Sequence, residues 1–148
     1  MPTTSDDIVL NPALFEGGAH LEYELIYQIF TKSYNAHVAW LNRMHAIIQN
    51  QSTPVSVEEA KVALQLNAER RAEIETTRNQ VLAIRSLTLS QLEKSRNRFD
   101  SNSLEWASIQ KIEHVVSESV KGVLSQLLRL ETISEAKRTH LQECKNVS

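Results

Sequence analysis

The last 94 of the 148 residues contain no proline and a single glycine, Gly122. Pro2, Pro12, Gly17, Gly18 and Pro54 all come earlier. A many-stranded β fold needs a turn every 8–12 residues or so, made mostly with Gly, Pro, Asn or Asp. That architecture is excluded for residues 55–148. A chain of this length with average usage would carry roughly 10 Gly and 7 Pro; this one has three of each. The same composition excludes collagen-like, low-complexity and disulfide-framework chains.

What fits such a chain is a small number of long helices. The first is expected from Ala19 to Gln49, ended by Asn50-Gln-Ser-Thr-Pro54. The second starts at a capping box, Ser56 with Glu59 three residues on, and runs from Val57 to Phe99. Asp100-Ser-Asn102 breaks the pattern, and Asn102 with Glu105 restarts it for a third helix from Ser103 to Glu143. Short breaks make consecutive helices antiparallel neighbours. The expected fold is all-α: an elongated antiparallel three-helix bundle, a coiled-coil-like rod, forming one domain over residues 19–148. Residues 1–18 read as an N-terminal arm. In it Asn11 and Pro12 open a short turn that Gly17-Gly18 ends. Its apolar groups, Ile8-Val9-Leu10 and Leu14-Phe15, either pack on the parent domain or dock on a partner as a linear motif.

The first helix is apolar over roughly 200° of its circumference, beyond the ~100° stripe of a helix resting on one core. Six of the eight aromatic residues (Phe15, Tyr23, Tyr27, Phe30, Tyr34 and Trp40) fall between positions 15 and 40. Both neighbouring helices cover this arc, or its tyrosine edge is left for another chain, a use that suits a large ring with a polar tip.

In the second helix Val57, Leu64, Arg71, Arg78, Arg85, Leu92 and Phe99 recur every seven residues. The companion row is Ala60, Asn67, Ile74, Val81, Thr88 and Ser95. A desolvated arginine without a carboxylate costs several kcal/mol. The arginine row therefore snorkels at the bundle edge or faces acids. Counting from the loops sets Glu131 near Arg71, Glu118 and Glu22 near Arg85, and Tyr27 near Arg78. On the third helix Ile109, Ile112, Val116, Val120, Val123, Leu127 and Leu130 share an arc that weakens past residue 130, so Glu135 to Ser148 is expected to fray or to be ordered only by a partner. Gly122 lies off that arc, where another backbone could approach closely.

Catalytic patterns are thin. The P-loop and the dinucleotide glycine fingerprint are absent. His37 falls inside the apolar arc as a core histidine, and His140 with Glu143 makes a single i, i+3 pair on the weak tail. No enzyme, cofactor, metal or small-molecule substrate is expected. Arg78, Arg85, Lys94, Arg96 and Arg98 against Glu93 make residues 76–99 locally basic. No aromatic interleaves with them before Phe99, so nucleic acid is not expected either. The opening MPTTSDDIVL has no secretory pattern, no apolar run approaches the ~18 residues of a membrane span, and Cys144 is alone. Cytoplasm, or nucleus, is the expected location.

The resulting expectation is a non-catalytic helical-bundle subunit or adaptor that binds protein partners, or a second copy, through its helix faces. Candidate binding residues are Tyr23, Tyr27, Phe30, Tyr34 and Trp40, the row Arg71, Arg78 and Arg85, and Leu14 and Phe15 of the arm. The alternative is a small acidic chaperone, of the flagellar or type III export kind, holding an amphipathic helical segment of its client.

Overall fold

The computed structural model describes residues 23–146. It is an all-α three-helix bundle, with helices α1 (Tyr23–Gln49), α2 (Val57–Arg96) and α3 (Leu104–Asn146) and no strand among the described residues. At ~1.5 Å per residue the helices are about 40, 60 and 65 Å long, so α2 and α3 form a hairpin that α1 covers only in part. The arm, residues 1–18, lies outside the described residues. No described helix is long and apolar enough to cross a membrane.

Helix α3 carries the most regular packing pattern. Val116, Val120, Val123, Leu127, Leu130 and Ser134 alternate steps of four and three, and all are buried. This is the spacing of a coiled-coil seam. The expected fraying after Glu135 does not occur. The helix continues to Asn146, with Leu141 only 2% exposed, because the hairpin gives this last stretch α2 to rest on.

Helix α2 meets the seam with a different row from its arginines. Ala60, Asn67, Ile74, Val81, Thr88 and Ser95 are all buried, joined by Thr77, Ile84 and Gln91 three residues after Ile74, Val81 and Thr88. Half of the ten buried positions of α2 are therefore polar. Asn67 Nδ2 donates to the Ser134 carbonyl at 3.1 Å. Helix α1 closes the core with Ile26, Phe30, Leu41, Met44 and Ile48.

Local chemistry sets the ends. The Ser56 hydroxyl accepts from the Glu59 amide at 3.1 Å, and Glu59 Oε1 accepts from the Val55 amide at 3.0 Å. The capping box thus forms, with its return bond one residue early. Helix α2 stops at Arg96, three residues short of the expected end. Asn97 caps it, which frees Phe99 to fold back edge-on against Tyr23 at 6.4 Å between ring centroids. The cap of α3 is Ser103, whose hydroxyl accepts from the Trp106 amide at 3.1 Å, and not Asn102. Asn102 instead belongs to the turn, its amide facing Asp100 Oδ1 at 3.4 Å.

Two residues carry a cost that this packing does not use. The Thr88 hydroxyl is fully buried with no hydrogen-bond partner, and such a group costs about 1–3 kcal/mol. At Gly122 a Cβ would meet nothing within 4 Å, so no described backbone approaches it. Thr88→Val should raise the urea midpoint by the equivalent of about 1 kcal/mol, and Gly122→Ala by up to about 1 kcal/mol. A fall in either midpoint would contradict the packing described.

Candidate functional site

Most of the aromatic edge of α1 is used inside the chain. Phe30 is in the core at 4% exposure and stacks with Tyr34, ring centroids 6.3 Å apart. Tyr23, Tyr27 and Trp40 are half-buried against the same core. Both neighbouring helices share the wide arc, and its outward remainder is Leu25 and Ile47, 41% and 47% exposed. Leu14 and Phe15 lie outside the described residues.

The arginine row lies at the edge of the α2/α3 seam and is also faced by acids. Arg71 meets Glu135 at 2.9 Å, and Arg78 pairs with Glu131. Arg138, one turn along α3, donates from Nε to the same Glu135 at 3.0 Å. The expected partner of Arg71 was Glu131, one turn before Glu135. The shift follows from side-chain direction: each helical side chain leans toward its own N-terminus. In an antiparallel pair, long side chains that touch therefore start about a turn beyond the level where the backbones face each other. Arg85 is half-buried and has no ion pair among the described residues. Glu118 turns instead to Lys121 at 3.4 Å, and Glu22 lies outside the described residues.

Arg78, expected near Tyr27, pairs with Glu131 instead, and a cation–π contact forms near the α2–α3 turn. The Arg96 guanidinium lies 5.6 Å from the Trp106 ring centroid, and its Nε is 2.9 Å from Glu113 Oε1. The N–H points off that line, so the contact is an ion pair more than an aligned hydrogen bond. Both side chains are 21% exposed, which makes this the most sheltered pair of the bundle. A sequence signal existed: Glu113 sits four residues after Ile109 and seven before Val120, on a core row where a carboxylate needs a cation.

Two pairs of potentially reactive side chains lie close together among the described residues. Ser33 Oγ and His37 Nδ1 are 3.5 Å apart inside the core, one turn apart on α1. Cys144 Sγ lies 3.8 Å from His140 Nε2 on the surface of α3. Among the described residues no three His, Cys, Asp or Glu side chains gather as metal ligands.

Two open grooves stand out. One, of about 380 Å³, runs where the α1–α2 loop, Gln51 to Pro54, lies along Val62, Ala63 and Leu66 of α2. Val55, Val62 and Leu66 beside it are 86%, 62% and 41% exposed. The other, of about 410 Å³, separates α1 from α3 near Tyr34, His45, Gly122 and Arg129. Sequence reasoning missed both, because periodicity ranks faces of single helices and grooves form where helices of unequal length meet.

The ion cluster gives a pH dependence. The hydrogen bond from Arg138 leads in holding the Glu135 carboxyl below its ordinary value, and the charges of Arg138 and Arg71 act the same way. A carboxylate depressed in the folded state stabilises above its unfolded pKa, and that contribution is lost as pH falls through the folded value. Glu135→Gln should therefore lower the urea midpoint at about pH 7, with the gap to wild type narrowing toward about pH 3. A gap independent of pH would show that the carboxylate charge is not involved. No known protein family, curated protein or solved structure matches the chain, so the reading of its function rests on its own surfaces.

Proposed function

We propose that this chain is a non-catalytic helical-bundle subunit or adaptor that joins a larger assembly by protein–protein contact at the N-terminal end of α2. The observation that carries this reading is the exposed apolar cluster of Val55, Val57, Val62 and Leu66 at one end of the rod. The other large exposed apolar residues, such as Leu25, Leu104 and Leu128, are spread over α1 and α3. Four such residues within twelve positions, beside an open groove, form the sort of patch that marks an interaction site. Full burial of one Val or Leu side chain is worth about 1.5–3 kcal/mol. Glu58 and Glu59 at the groove rim add polar contacts suited to partner choice. The partner is a protein surface with an apolar ridge, or a second copy of this end.

Val62 and Leu66 are exposed helical positions, so Val62→Glu with Leu66→Glu should leave helicity intact. The expected outcome is that the chain runs by light scattering as a defined complex above its own 16.8 kDa, while the double variant runs as a monomer. A wild-type monomer with no stoichiometric partner would sink the assembly reading. Release of an unstructured client, with a fall in helicity, would replace it by the export-chaperone alternative.

A further inference from the structure

The groove between α1 and α3 has a chemistry that specifies its occupant. Its floor is Leu41, Val123 and Leu130, all buried. His45 and Arg129 flank the end nearer the α1 C-terminus, and none of the described lining residues is a carboxylate. Arg129 is exposed and has no ion pair among the described residues. An occupant that suits these walls brings a short apolar run beside negative charge.

The chain carries one such stretch, Asp6-Asp7-Ile8-Val9-Leu10; no other place in the sequence sets two adjacent carboxylates before three large apolar residues. Length agrees with charge. From Tyr23, α1 descends about 22 Å to Val38 and about 33 Å to His45. Gly17-Gly18 accepts the backbone angles of a reversal. Leu10 stands 13 residues before Tyr23 and Asp7 stands 16 before it, so an extended chain spans at most about 43 and 53 Å. Both exceed those depths, and the length lets Leu10 lie at Val38 with Asp7 at the end held by His45 and Arg129.

We propose that residues 6–10 of this chain occupy the α1/α3 groove in cis, with the apolar run over Val38 and Leu41 and the two aspartates against Arg129 and His45. This contact uses a different face from the α2 end, so it stands or falls apart from the assembly reading.

The test uses the full chain with Cys144→Ser and a nitroxide on Ser5→Cys. The amide signals of Asn42, His45 and Gln126 should be broadened, and those of Leu104 and Val115 left sharp. Arg129→Glu, at an exposed position, should abolish the broadening with helicity unchanged. Adding Asp6→Arg and Asp7→Arg to that variant should restore it. Sharp groove signals in the starting protein, or broadening indifferent to Arg129, would overturn the proposal. So would broadening that appears when spin-labelled chains are mixed with isotope-labelled, spin-free ones, because a second copy would then be the occupant.

Discussion

Everything in this bundle depends on the seam between α2 and α3. The two helices contribute unequally to it. Helix α3 brings an almost unbroken row from Val116 through Leu130, whereas half of the buried positions of α2 are polar. A helix such as α2 has little apolar surface of its own to drive burial. It becomes ordered by lying between two helices that have such surface. Small side chains such as Ala60, Thr77, Thr88 and Ser95 let it sit close to its neighbours. The Asn67 amide turns toward the Ser134 carbonyl and recovers part of the cost of its burial.

That inequality explains why α1 must be so broadly apolar. It has to cover both members of the hairpin, and its 27 residues face partners of 40 and 43. The tyrosines and Trp40 take part in that cover: each is half-buried and packed against the core, a position that suits a large ring with a polar tip. Where α1 ends, the loop from Gln51 to Pro54 runs back along the first turns of α2 and leaves Val62 and Leu66 in the open. The exposed cluster is thus a consequence of unequal helix lengths.

Much of the architecture was legible in the residues. Ninety-four positions without proline and with only Gly122 demand long helices, and Ser56 with Glu59 marks the start of α2 to the residue. What escaped depends on geometry between helices. Phe99 continues the heptad of α2 on paper, yet covering Tyr23 takes it out of the helix. Ser134 and Lys137 look like a failing core row until the hairpin is long enough to bury Ser134 and Leu141. Register escaped because counting from the loops compares Cα levels, and side chains that touch are displaced from those levels by their lean. Of the binding candidates, Arg71 could be placed beside an acid in advance, though not its actual partner Glu135, and the pairing of Arg78 with Glu131 was not foreseen. The two grooves have no one-helix signature at all.

The edge ion pairs serve specificity more than stability. Arg71 and Glu135 are 44% and 46% exposed, and pairs of that kind contribute between nothing and about 1 kcal/mol. Their arrangement is nonetheless selective. Sliding α3 by one heptad in one direction would bring Arg78 to Arg138, two like charges. Sliding it the other way would bring Arg78 to Leu124 and Arg71 to Leu128, leaving both guanidinium groups without acids. Glu113 would lose Arg96 in either case, and Asn67 would face Leu127 or Leu141 in place of Ser134. A seam of alternating Val and Leu tolerates such slips, since one apolar row looks much like the next. The charged edge and the polar core positions do not, and they hold α2 and α3 in the one register that leaves the groove beside α1 and the exposed end of α2 where they are.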